Sequence, residues 1–421
     1  MSNAVQQQTT ENASESGLIE QNFPETTFFR DVPSTYANFG IVSKTTGIAS
    51  GNLAFGTRKE FRIPSGGDLL TKMYLNVTLP AVHNNIVTGS TYANWVNNVG
   101  HALIDTVELH ISNNVVDSHS GLYLDLWNEL TDDKQKEWDT LGKYESNQSL
   151  KFLQTSSTKY IIPLKFFLNR NNGSALPHFI IGDNNIRVIV NTKSLASLVL
   201  FDGTNSVSTS VNITSMELGY DTVELSSTER QAVSNEGRPT ELLIETVQTF
   251  SSLTNFSNIT IEHPVKEFIF VLQKDGRTSS SNPHITLNNT VKGNDHFNYN
   301  GTSNSNSSNY DIFDTLQIKW GSSDITEQSF SHLFFREEQV QKYHSRNPKK
   351  NIYVYSFDIE PESTQPSGFI NFSRDTSKSL SFNFTGLESN VKLHLFARSY
   401  EYIVIQQERA DKRDIPIEGS Y

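Results

Sequence analysis

Residues 351–374, NIYVYSFDIEPESTQPSGFINFSR, decide how this chain is read. Tyr353, Tyr355, Phe357 and Ile359 alternate with Ile352, Val354, Ser356 and Asp358. A period of two assigns each set to its own face of a strand, and the wholly apolar first set is expected to face a core. Pro361 and Pro366 have no N–H to give, so they stop the ladder. Gly368 is expected to allow a backbone conformation that a Cβ would resist. Further strands are predicted over 369–374 and 380–384, around the polar turn 375–378.

The same residues carry a family likeness. Tyr355-Ser356-Phe357, Pro361-Glu362, Gln365-Pro366-Ser367-Gly368 and Asn371-Phe372-Ser373-Arg374 occur in that order. The set resembles the signature of the major capsid proteins of nucleocytoplasmic large DNA viruses. Working outward, Phe28-Phe29, Asn38-Phe39, Gly67-Asp68-Leu69, Leu79-Pro80, Trp95, Val99-Gly100, Ile104-Asp105 and Val107-Glu108-Leu109 are similar to that family's text as well.

Composition agrees with an all-β chain. Phe (26) and Tyr (15) are abundant, and both suit strands. A length of 421 residues suits two domains rather than one core. Cysteine is absent, which excludes disulfides and thiolate metal sites and fits assembly in a reducing cytosol. The net charge of -12 repels phosphate backbones, so direct nucleic-acid binding is not expected. The densest basic run, 342–350 (KYHSRNPKK), reads as a solvated loop. No stretch approaches the about 18 apolar residues of a membrane span, and the polar start lacks a secretory core.

The chain falls into a flexible arm (1–25), a first sandwich (26–225), a linker (226–238), a second sandwich (239–405) and a charged tail (406–421). Strands are predicted over 60–80, 102–111 ending in an Asn-Asn turn, 160–168, 186–190 and 211–225. Pro163 suggests an edge strand. Leu122, Leu126 and Leu130 recur every four residues, which predicts a short amphipathic helix used for core packing. Ser226 and Glu229 fit a capping box that opens a linker helix. Segments of the second half echo the first: 105–109 in 314–318, 160–164 in 351–355, and 211–225 in 391–405. Two copies of one antiparallel jelly-roll follow, with short helices in loops. Residues 276–311 are dominated by Ser, Asn, Thr and Gly, so they are expected to form an exposed crown.

No nucleophile elbow, zinc-protease helix, P-loop or dinucleotide motif is present, and no catalytic, cofactor-binding or metal-binding residue is assigned. A metal site through His110, Asp117 and His119 is conceivable, but structural histidines are the default. Asp132-Asp133 and Glu337-Glu338 are adjacent carboxylates, whose side chains diverge on either a strand or a helix. The sequons at Asn76 and Asn383 lie within predicted strands and are not read as glycosylation sites.

The resemblance implies a double jelly-roll coat protein and no reaction. It implies homotrimers with a pseudo-hexagonal outline that tile an icosahedral shell around an internal membrane. The implied partners are neighbouring capsomers, minor capsid and penton proteins, and the inner membrane layer through the arm. The resemblance also implies a place in the outer shell of the virion and assembly in the host cytoplasm. A related scaffold or minor shell protein is one alternative; a carbohydrate-binding or hydrolytic β-sandwich is another.

Overall fold

Runs with an apolar period of two become strands, and their pairing builds two sandwiches. The computed structural model describes residues 39–413 except 84, 88–90, 132–133, 146–149, 151–152, 183–184, 203–210, 235–239, 284–290, 302–309, 376 and 407–408; at 134–136, 406 and 409–413 the backbone alone is described. The arm, the Phe28-Phe29 pair, Asp132-Asp133 and the end of the tail lie outside these residues.

In the first half the principal strands are β1 (Phe39–Thr46), β2 (Arg58–Arg62), β3 (Leu69–Leu79), β4 (Ala93–Trp95), β5 (Ile104–Ile111), β6 (Asn114–Ser120), β7 (Thr158–Pro163), β8 (Ile186–Thr192), β9 (Val199–Asp202) and β10 (Ser215–Leu225). Helices α1 (Gly121–Thr131) and α2 (Lys134–Leu141) separate β6 from β7. One sheet runs β1-β10-β3-β7 and the facing sheet β2-β8-β5-β6. Helix α3 (Ser227–Ser234) follows, and the Ser226 hydroxyl accepts from the Glu229 N–H at 3.3 Å, as a cap should.

The second half adds β11 (Thr240–Leu253), β12 (Pro264–Lys274), β13 (Val291–Lys292), β14 (Thr315–Trp320), β15 (Tyr353–Ser356), β16 (Leu380–Thr385), β17 (Val391–Gln406) and β18 (Arg409–Arg413). Its main sheet runs β11-β17-β12-β15, and β14 pairs with β16 in the opposite one. Strand order therefore repeats. In each half the first strand pairs with the closing strand, then come the long central strand and the strand after the helical insert. The three sequence echoes fall on structurally equivalent strands: β5 with β14, β7 with β15, β10 with β17. The fold is an all-β double jelly-roll with short helices in its loops.

Several local expectations change. Both faces of β15 are buried, because Tyr353 packs into the second core while Ile352 and Val354 join the cluster of the first half. The alternation ends after Ser356, and Ile359 is 73% exposed. Only Ile370–Asn371 of the next predicted strand is extended, since Phe372–Arg374 turns as a 3-10 helix. Gly368 is needed for close approach rather than for an unusual φ: a Cβ there would lie 2.6 Å from the Phe357 carbonyl oxygen. The turn after β5 is Ser112-Asn113, with Ser112 at a φ of 56°, and Asn114 already belongs to β6. Helix α1 is buried nearly all round, polar residues included, so it is not amphipathic.

The largest correction concerns 276–311. Its described middle is not an exposed crown. Strand β13 pairs with β9, which pairs with β4, so the second half adds a strand to a sheet of the first. The Tyr299 ring is 1% exposed and its hydroxyl donates to Asp125 of α1 at 3.2 Å. His296 Nε2 lies 2.7 Å from the Ser197 carbonyl oxygen. Low apolar content hid this role, because a few anchors (Val291, Phe297, Tyr299) suffice when the rest of the loop stays polar. Replacing 278–309 by a Gly/Ser linker should therefore lower the melting temperature. Tyr299→Ala should cost about 3–5 kcal/mol in urea unfolding, the range for emptying a buried aromatic site. An unchanged midpoint would return the loop to a passive role.

Candidate assembly site: the charged seam and the exposed edges

The resemblance implies a protein that works by holding shape and presenting contacts, so the candidate site is the joint between the two halves and the edges left outside. The joint arises from the sheet β11-β17-β12-β15. One face carries Phe268, Phe270, Leu272, Leu393, Leu395 and Ala397 into the second core. The other face gives Ile269, Val271, Phe396 and Ile403 to the core of the first half. A sheet covered on both sides cannot follow the half-polar alternation of an ordinary sandwich wall.

Toward one end of this seam the apolar contact becomes ionic. Arg398 on β17 and Glu267 on β12 are paired residues in register, and their side chains form an ion pair. Arg398 also donates to Glu245 of β11 at 2.6 Å. Its guanidinium lies 3.9 Å from the centre of the Trp127 ring on α1. Glu245 is shared further with Lys266 at 2.6 Å and with Arg170 of the first half. Burial alone would raise the Glu245 carboxyl, but Arg398, Arg170 and Lys266 together hold it down at about 2. Burial and the neighbouring Arg398 charge push the Lys266 amine down to about 8 despite its carboxylate partner. Glu267 is held far below the usual carboxylate range, chiefly by Arg398 and then His344, against the opposing effect of burial.

A second cluster lies along the same helix. Asp125 and Glu129 are one turn apart on α1, so they share a face. Lys143 reaches both, at 3.1 and 3.0 Å, and donates to Asn128 at 2.7 Å. Lys350 reaches both from the second half, at 2.8 and 3.2 Å, and Arg346 approaches Glu129 at 3.3 Å. The basic run 342–350 is thus a strap across the seam, not a solvated loop. Arg346, Lys349 and Lys350 find carboxylates that were invisible from the local sequence.

The three residues weighed against a structural role, His110, Asp117 and His119, do not converge on one point. His119 faces Asp117 at 3.0 Å on the buried side of β6, whereas His110 pairs with Glu108 at 2.8 Å. Adjacent positions 109 and 110 direct their side chains to opposite faces, which separates the two histidines. Glu337 pairs with Arg336 and Glu338 is exposed, so these carboxylates face no common cleft. Among the described residues no group of three His, Asp or Glu could hold a metal ion. A cleft does open beside the seam, lined by Trp127, Lys165, Arg170, Glu137 and Glu362, but Lys165 pairs with Glu137 and Arg170 with Glu245.

Sequence reasoning passed over Asp125, Trp127, Lys143, Glu245, Lys266, Glu267 and Arg398. A signal was present. Lys266-Glu267 interrupts the apolar run PVKEFIFVL, and Arg398 interrupts LHLFARSY. A charge inside a central-strand pattern implies a buried partner, because an unpaired one would cost several kcal/mol. Arg398→Ala should cost about 3–5 kcal/mol, since it takes from Glu245 and Glu267 the buried cation they share and leaves only Lys266, Arg170 and His344 to balance them. Because both carboxyls titrate below their ordinary 4.5 only while paired, the wild-type contribution is complete above that value and is lost progressively as pH falls through it toward the folded values, about 2 for Glu245. Acid unfolding of the variant should begin at a higher pH, and coincident acid transitions would contradict this.

With the geometry in hand, comparison with known proteins is direct. Residues 27–232 match the model of the major capsid protein N-terminus, and residues 229–406 match that of the large eukaryotic DNA virus major capsid protein. The major capsid protein of Phaeocystis pouchetii virus is 24% identical, over 91% of this chain and 94% of its own. That of Paramecium bursaria Chlorella virus 1 is 25% identical, over 86% and 83%. Among solved structures, the Faustovirus major capsid protein superposes with a TM-score of 0.75 at 12% identity, covering 96% of this chain and 99% of that one. The PBCV-1 virus capsid protein gives 0.71 at 20%, covering 93% and 100%. Two consecutive family models that span both jelly-rolls, together with the repeated strand order, mean that this chain belongs to the major capsid proteins of large eukaryotic DNA viruses and is a structural protein of the outer capsid shell.

Proposed function

We propose that three copies of this chain associate into a capsomer with a pseudo-hexagonal outline, and that such capsomers tile an icosahedral shell. The observation that carries this reading is the repeated order of β1-β10-β3-β7 and β11-β17-β12-β15. Two similar towers per chain give six around a threefold axis, so one protein can occupy positions of near-sixfold symmetry. The seam fixes the angle between the towers. The chain is read as an arm (1–25), towers 26–225 and 239–405 joined by 226–238, and a tail (406–421).

Exposed apolar residues suggest the lateral contacts. Phe39, Ile41 and Val42 lie on β1, which among the described residues is an edge strand offering backbone groups for pairing. Ile359 and Phe369 stand out from the proline-bracketed loop. Neighbouring capsomers, minor capsid and penton proteins are the proposed partners, with the arm facing an inner membrane layer and assembly taking place in the host cytoplasm. The chain performs no reaction and does not hold nucleic acid, in keeping with its net charge of -12.

Sedimentation of the purified protein should give about three times the 47.4 kDa chain mass. A stable monomer at micromolar concentration would overturn the tiling model. The paired substitution Phe39→Glu and Ile41→Glu should dissociate the trimer with little change in the unfolding of the single chain.

A further inference from the structure

We propose that His344 is a pH-sensitive latch on the seam: as an imidazolium it ties the strap 342–350 to the second jelly-roll, and on losing its proton it releases that strap. The geometry requires the charged form. Nε2 lies 3.1 Å from Glu267 Oε2, and Nδ1 lies 3.1 Å from Glu362 Oε1. Both carboxylates are acceptors only, so each ring nitrogen must carry a proton. A neutral imidazole would aim a lone pair at one of two anions.

The groups around the ring come from four elements. Glu267 stands on β12 and Glu362 on the signature loop. Arg398 on β17 shares Glu267 from the other side. Trp127 on α1 meets the imidazole edge-on at 6.2 Å between ring centres. Lys266, Glu245 and Arg170 act on it only through Arg398 and Glu267. Burial would lower the His344 value. The Glu267 charge and the bonds to Glu267 and Glu362 outweigh it, so the group sits above its ordinary 6.5.

Deprotonation has a defined path. Glu267 keeps Arg398, so the remaining ring proton stays on Nε2. The lone pair on Nδ1 then faces Glu362, whose side chain is 29% exposed and can turn to water. With it goes the bond from the Ser345 N–H, 2.8 Å to Glu362 Oε1. Ser345 is followed by Arg346, whose N–H donates to the Leu130 carbonyl at the end of α1 at 3.1 Å, and then by Lys350 on Asp125. The strap that joins the halves is thereby loosened from its first residue.

The sign follows from the raised value. The stabilisation is complete below pH 6.5 and is lost as pH rises through the value His344 holds when folded. The joint is therefore tight in acid and opens toward alkali, whether or not trimers form. Hydrogen exchange of the full-length protein, corrected for the intrinsic chemical rate, reads this directly. Strap amides at 344–350 should exchange up to about tenfold faster per pH unit above 6.5, then level off beyond the folded value. His344→Gln should remove that rise. Should this variant fail to fold, Glu362→Gln, altered at the more exposed partner, lowers the folded value alone, so the rise should still begin near 6.5 but level off at a lower pH and at a smaller total increase. Exchange at 344–350 that stays flat with pH in the wild type would overturn the latch, as would a levelling-off in Glu362→Gln at the wild-type pH.

Discussion

The guanidinium of Arg398 stacked on Trp127 is the contact on which the rest depends. It stands where three demands meet: the closing strand of the second sandwich, the helix of the first, and the carboxylates of β11 and β12. A cation over an indole face gains about 2 kcal/mol or more when water is excluded. Buried ion pairs seldom exceed a well-packed apolar seam in stability. What this one supplies is direction. Apolar faces can slide, whereas Arg398, Glu245, Glu267, Lys266 and Arg170 are tied to one another by directed ion pairs. For a shell protein a fixed angle between towers matters more than a few kcal/mol.

The signature loop acquires a physical reason from the same place. Asp358 is buried, accepts from the Tyr400 hydroxyl at 2.9 Å and is bonded by Ser367. The Pro361 carbonyl accepts from Arg398 at 2.9 Å, the Ser363 carbonyl from Lys266 at 2.9 Å, and Glu362 holds His344. The loop closes the charged end of the seam. The Pro361 and Ser363 carbonyls face cations, and Gly368 lets the returning chain pass against Phe357.

Aromatic content finds its use in the second core, where Phe270, Phe313, Phe335, Phe382 and Tyr353 contact one another with centres 4.9–5.9 Å apart. Edge-to-face and offset-stacked pairs of this kind add about 0.5–1.5 kcal/mol each beyond the area they bury. With no disulfide available, that packing and the strap hold the molecule.

Local sequence determined the strands, the duplicated order and the family, because period, proline placement and motif spacing are properties of neighbours in the chain. It determined that β5 alternates, that β7 is an edge and that Ser226 opens a helix. It did not determine what the second faces meet. Residues 352–358 looked half-buried because a strand reveals its own period but not a second layer above it. The run 342–350 looked solvated because Asp125 and Glu129 are more than 200 residues away. Residues 276–311 looked like a crown because polar composition dominates, while three anchors decide where the segment packs. Tertiary structure alone decided these, since burial and ion pairing depend on which distant surface arrives.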